Sequence, residues 1–150
     1  MTAAKVIDAS ALAAMVFGEP EAMAIARSID GSPLLAPVLL DFELANVCWK
    51  KCRRTPERRQ VLLAAYALRQ DLVVELAAVN HGEALILALQ TGLSVYDASY
   101  LWLSRKLGAE LVTLDARLAS IAGARSDLLP LQRLFNLLGQ HRDVDRLGQE

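Results

Sequence analysis

No stretch of this 150-residue chain is apolar for long enough to cross a bilayer. Val38–Leu40 is interrupted by Asp41 and Glu43, and the run Leu85–Leu89 stops at Gln90. At the N-terminus, Lys5 is followed by only Val6 and Ile7 before Asp8, so no signal peptide is expected. Cysteine is scarce. Cys48 and Cys52 lie four apart in one expected helix, which fits a reduced cytoplasmic core rather than a disulfide framework. Histidine is equally scarce: His81 and His141 are far apart, and no second Cys pair exists, which argues against a zinc site. Neither is placed for general acid–base work beside another candidate group. Repeats, low-complexity segments and linkers are all missing. With 54% hydrophobic and 22% charged residues, disorder is excluded, and the length suits one domain with a real core.

The net charge of −1 favours no partner, but its distribution is uneven. Residues 50–59 hold Lys50, Lys51, Arg53, Arg54, Arg58 and Arg59 against Glu57 alone, a local +5 on a body that carries −6. Such a ridge can hold a polyanion. Lys50, Arg54 and Arg58 share one helical face if the helix continues past Pro56. A solvated helix end is the competing reading.

Short apolar runs alternate with helical patterns. Strands are expected at Lys5–Ile7, Leu34–Ala36, Leu72–Leu76 and Glu110–Thr113, with a last short strand or extended end at Asp127–Leu131. Helices are expected from Ser10 to Phe17, from Pro20 to Ile29, and from about Val38 to Cys52. Another should start at Thr55-Pro56-Glu57 and end near Gln70, with Thr55 as N-cap. Asn80 should cap a helix through Gln90, Ser94 one that ends before Gly108, and Ala116–Ala122 should form a short one. Strands alternating with helices imply an α/β fold with a mainly parallel sheet covered on both faces. Residues 1–138 are taken as the domain and 139–150 as a polar C-terminal tail.

Four carboxylates sit at the edges of these segments: Asp8, Glu43, Asp97 and Asp115. Asp8 and Asp115 fall at the carboxyl ends of strands, where parallel sheets bind ligands. Each can equally be a helix N-cap, and Ser94-x-x-Asp97 has capping-box spacing. Glu43 is harder to explain away. Its helix is apolar nearly all round and therefore expected to be buried, and a buried glutamate needs a partner. Asn46, one turn on, can bond it but not neutralise it. Convergent carboxylates repel one another, and a hard divalent cation bound through oxygen relieves that repulsion. Ser10 and Thr113 are placed to orient a carboxylate from behind. The chemistry pointed to is metal-assisted hydrolysis of a phosphodiester.

The segments Val6-Ile7-Asp8-Ala9-Ser10, Glu43-Leu44-Ala45-Asn46-Val47, Tyr96-Asp97-Ala98-Ser99-Tyr100-Leu101 and Leu111-Val112-Thr113-Leu114-Asp115 resemble, in order, the acidic motifs of the PIN domain. Within that family the chain looks most like the VapC group, toxin ribonucleases of type II toxin–antitoxin systems. The resemblance runs from residue 5 to about 131. It implies a three-layer α/β/α sandwich, a Mg²⁺ or Mn²⁺ site formed by Asp8, Glu43, Asp97 and Asp115, and cleavage of single-stranded RNA. It also implies a homodimer and a cognate antitoxin that blocks the site. Trp49, Trp102 and Tyr100 are expected near helix surfaces, where they would supply an apolar patch for such partners. Two departures are visible: Leu114 stands where many relatives have a polar residue, and the tail is long. A haloacid-dehalogenase-type phosphatase would want Asp where Ser10 stands, and a response-regulator receiver would want a late lysine that is not evident. A PIN scaffold that binds RNA or protein without catalysis is the remaining alternative.

Overall fold

Val6 and Ile7 are wholly buried because their strand is flanked on both edges. In the computed structural model, which describes residues 2–124, β1 (Lys5–Ile7) pairs in parallel with β2 (Leu34–Pro37) on one side and with β4 (Glu110–Val112) on the other. β3 (Val74–Ala77) adds to β2, again in parallel, giving the order β3-β2-β1-β4. The chain moves outward from β1 through β2 to β3, then returns to the far side of β1. The strand order therefore reverses at β1–β4, and such a reversal opens a crevice beyond the strand ends.

Two helical layers cover the sheet. On one side α1 (Ala9–Val16) packs on α2 (Ala22–Ile29) and on α3 (Leu40–Arg54), and α3 packs on α4 (Arg59–Ala67). In the other group α5 (His81–Thr91) packs on α6 (Val95–Leu107), which lies against β1, β2 and β4. α7 (Ala116–Gly123) follows β4 and touches both it and α6. This is the α/β/α sandwich expected from the sequence. α6 is its axle: every residue from Ala98 to Ser104 is buried, as befits a helix enclosed on all sides. Asn80 and Ser94 cap α5 and α6 through their side chains, and Gly92 and Gly108 end them at φ 72° and 60°, a conformation that costs residues with a Cβ.

Several boundaries differ from expectation for identifiable reasons. The helix after α3 does not start at a Thr55 cap. Thr55 sits at φ −131°, and its hydroxyl donates to Lys51 O at 3.0 Å, finishing α3 instead. A 3₁₀ turn, Pro56–Arg58, precedes α4. α4 itself tightens into a second 3₁₀ turn, Leu68–Asp71, so β3 begins at Val74 rather than Leu72. Arg69 pins that turn, bonding Leu72 O at 3.0 Å and pairing with Asp41 at 3.1 Å. β4 stops at Val112, leaving Thr113 outside the ladder. Asp127–Leu131, the boundary at residue 138 and the tail lie outside the described residues.

α3 also corrects the sequence reading. Its apolar residues are not buried all round. Leu40, Leu44, Cys48 and Cys52, spaced four apart, form the inward stripe, whereas Phe42 and Trp49 are exposed. Tyr100 and Trp102, expected on the surface, are core residues. Trp102 is held by its indole N–H, which donates to Glu83 Oε2 at 2.6 Å. Both cysteines are free and buried. Among the described residues no helix is long and apolar enough to cross a membrane.

Candidate active site

Asp8 is the residue immediately beyond β1 and is nearly inaccessible, 4% exposed. Its backbone N–H donates to Val112 O at 2.9 Å, which ties it to the end of β4. As N-cap of α1, its Oδ1 accepts the Ala9 N–H at 2.8 Å. Oδ2 accepts two hydroxyls, Ser10 Oγ at 2.8 Å and Thr113 Oγ1 at 2.7 Å. The direction of those bonds is fixed from behind. Ser10 Oγ accepts the Leu114 N–H and Thr113 Oγ1 accepts the Asp115 N–H, each at 3.0 Å, so both hydroxyl protons are left to face Asp8. One oxygen of Asp8 thus caps α1, and the other anchors a network that spans both strand ends.

Glu43 stands in the first turn of α3, just after β2. It is half-buried, and its Oε1 is buried without a hydrogen-bond partner. Burial pushes its carboxyl up to about 7. The nearby Tyr100 hydroxyl opposes that rise, and the charges of Asp8 and Asp97 add to it. Tyr100, in turn, is driven well above the ordinary phenol range by burial and by the charge of Glu43. The two groups face each other, although neither the Tyr100 hydroxyl nor Glu43 Oε1 completes a bond of normal geometry. Asn46 does not satisfy Oε1 either. It is exposed and lines, with Leu39, Phe42, Glu43 and Tyr96, a cavity of about 350 Å³.

Asp97 opens α6, its N–H bonded to Ser94 Oγ at 3.1 Å. Burial raises its carboxyl, as do the charges of Asp8 and Asp115; Ser94 and the Arg117 guanidinium act the other way. Asp115 is exposed and caps α7, its Oδ1 accepting the Leu118 N–H at 2.8 Å. The fold therefore brings the four carboxylates into one electrostatic neighbourhood at the strand-order reversal. Among the described residues, no three His, Cys, Asp or Glu side chains stand close enough together to hold a metal ion as they are placed. The donor set is all oxygen, crowded and like-charged, with an unpartnered buried oxygen on Glu43; that chemistry fits a hard divalent cation.

The basic ridge is arranged differently from the sequence reading. α3 ends at Arg54, so the helical face does not continue to Arg58. Arg54 and Arg58 nevertheless line one cavity of about 200 Å³, joined by Lys51 rather than by the exposed Lys50. Lys51 also pairs with Glu19 at 2.6 Å and lies 5.4 Å from the Phe17 ring centre. Sequence reasoning missed Tyr100 as the neighbour of Glu43 and Arg117 as the cation facing Asp97. Arg117, two residues past Asp115, was the more findable.

A parallel sheet with acidic side chains gathered past β1 and β4 and on the first turns of the helices after β2 and α5 defines a class of α/β fold with a carboxylate-lined crevice. The chain belongs to the PIN domain family, whose pattern matches residues 5–124. It is 35% identical over 119 residues to Ribonuclease VapC3 of Pyrobaculum aerophilum, covering 76% of this chain and 91% of that one. Two solved structures share the fold. PAE2754 from Pyrobaculum aerophilum has a TM-score of 0.56 at 23% identity, covering 93% of this chain and 99% of its own. Mycobacterium tuberculosis VapC20, described as a sarcin-ricin loop cleaving toxin, has a TM-score of 0.57 at 21% identity, covering 86% of this chain and all of its own.

Proposed function

We propose that this protein is a Mg²⁺- or Mn²⁺-dependent endoribonuclease that cleaves single-stranded RNA, acting as the toxin of a type II toxin–antitoxin pair. The observation that carries the reading is the network on Asp8: a buried carboxylate held by Ser10 and Thr113 beside a Glu43 whose buried oxygen has no partner. The similarity to a VapC ribonuclease over most of the chain supports it. Asp8, Glu43, Asp97 and Asp115 would hold the cation, which when bound supplies Lewis acidity for phosphodiester hydrolysis. Ser10 and Thr113 fix the Asp8 rotamer. The buried Tyr100 hydroxyl lies next to the Glu43 carboxyl and favours its charged form. Asn46 offers an amide at the mouth of the crevice.

Lys50, Arg54 and Arg58 would meet RNA phosphates or an acidic stretch of the antitoxin. An antitoxin helix has a second foothold between α3 and α4, where Ala45, Cys48, Trp49, Leu63 and Tyr66 line an apolar cavity of about 280 Å³. A homodimer is part of the same reading. The test is cleavage of a single-stranded RNA with Mg²⁺, with Mn²⁺ and with chelator, for the parent and for Asp8→Asn. Metal-dependent cleavage by the parent alone supports the proposal. A parent that binds RNA and never cuts it in either metal would instead make this a binding scaffold.

A further inference from the structure

Two large aromatic side chains stand almost bare beside the carboxylates. Phe42 is 85% exposed and Tyr96 is 66% exposed. Each directly precedes an acid of the site, Glu43 and Asp97, and the two come from different helices, α3 and α6. With Leu39, Glu43 and Asn46 they line the same cavity of about 350 Å³. Exposing an aromatic ring forfeits the burial it would otherwise gain, so two around one cavity suggest a flat apolar ligand.

The composition of the cavity narrows that ligand. Among the described residues no lysine or arginine lines it, so these residues do not build a phosphate seat. Its polar side chains among the described residues are the Glu43 carboxyl, assigned above to the cation, the Tyr96 phenol and the Asn46 amide, which accepts from an exocyclic N–H and donates to a ring nitrogen or carbonyl. A planar heterocycle with such an edge is a nucleobase. An apolar protein helix would cover the rings but leave the Asn46 amide without a hydrogen-bonding edge to meet.

We infer that Phe42 and Tyr96 are a stacking platform for unpaired nucleobases next to the scissile phosphate of an RNA strand, with Asn46 reading a base edge. The inference rests on the ribonuclease reading above and adds to it the means of positioning. Bases inside a duplex have no free face, so the platform selects single strands. Because every base has a π-face, stacking sets position along the strand, and the Asn46 amide adds the preference among bases. These are positioning residues and perform no bond chemistry.

The experiment measures binding of a short single-stranded oligoribonucleotide carrying 2-aminopurine, whose fluorescence is quenched on stacking, in Ca²⁺ across a range of salt. The proteins are the parent, Phe42→Ala, Tyr96→Ala, the double variant and the conservative Tyr96→Phe. Each Ala variant should lose affinity roughly tenfold and lose quenching, with the salt slope unchanged because neither ring neutralises a phosphate. Tyr96→Phe should bind like the parent, since stacking needs the ring and not the hydroxyl. An oligonucleotide with abasic sites at the stacked positions should bind the parent as weakly as the double variant does. Parent-like affinity and quenching in the double variant would overturn the platform while leaving the ribonuclease reading intact. So would a loss that is equal for intact and abasic strands, or one that appears only in self-association or protein-partner binding. A parent that neither binds nor cleaves RNA would overturn both.

Discussion

Thr113 donates its hydroxyl to Asp8 Oδ2 at 2.7 Å, joining residues 105 apart in sequence across the β1–β4 junction. The bond makes the rotamer of Asp8 depend on the end of another strand. Thr113→Val keeps the shape and removes the donor. We expect cation affinity, followed by calorimetry with Mn²⁺, to fall roughly 10–100-fold, with cleavage falling alongside. Ser10→Ala should behave in the same direction, and the double variant should lose more than the sum, because the two hydroxyls share one acceptor. Additive, small effects would mean that Asp8 is held by its Ala9 bond alone.

Asp97 is crowded by Asp8 and Asp115, and its backbone N–H donates to Ser94 Oγ at 3.1 Å, a bond that a side-chain substitution leaves in place. Asp97→Asn should abolish cleavage and leave metal-free thermal stability equal or higher. Mg²⁺ should raise the melting temperature of the parent by mass action and that of the variant much less. A marked loss of metal-free stability in the variant would assign Asp97 to capping.

Glu43 gives a pH dependence with a definite sign. Its carboxyl is raised from the ordinary 4.5 to about 7 by burial first. Between those values the folded state holds a proton that the unfolded chain has released, so metal-free stability falls as pH rises from about 4.5 to about 7. The site is partly open to solvent, so the discounted loss is about 1–2 kcal/mol. Glu43→Gln should flatten that part of the pH–stability profile. Denaturant melts at pH 5 and pH 7.5 measure it; a parent more stable at pH 7.5 over this interval would contradict the sign.

The cations make a prediction separable from the metal. Replacing Lys50, Arg54 and Arg58 by Ala should reduce the slope of log K against log salt by about 0.7 for each phosphate no longer neutralised, with Mn²⁺ affinity unchanged. The shared cavity ranks them: Arg54 and Arg58, which line it, should carry the effect and Lys50, which does not, little of it. An unchanged slope in the triple variant would remove the ridge from RNA binding.

The core sets the scale for unrelated damage. Leu118 and Leu101 are fully buried, and either one changed to Ala should cost about 2–5 kcal/mol in denaturant melts. Stability losses much below that would show that the core collapses around the cavity.

Much of this architecture is local and therefore written in the chain. Lys5–Ile7 is a strand at its expected bounds. Asn80, Ser94 and Asp115 cap the helices that follow them, because an Asn, Ser or Asp oxygen needs only the N–H groups of the next turn. The order of strands and helices, and the four acids at their edges, come from the same short-range chemistry. What could not be read locally is which side of each element faces inward. α3 has apolar residues on most of its surface, and only its docking against α1 and α4 buries Leu40, Leu44, Cys48 and Cys52 and leaves Phe42 and Trp49 in solvent. Tyr100 looked like a surface ring until α6 was placed at the centre of the molecule. The convergence of Ser10 and Thr113 on Asp8 likewise required β4 to lie beside β1. That pairing is fixed by the crossover of the whole chain, and periodicity within any one segment carries no record of it.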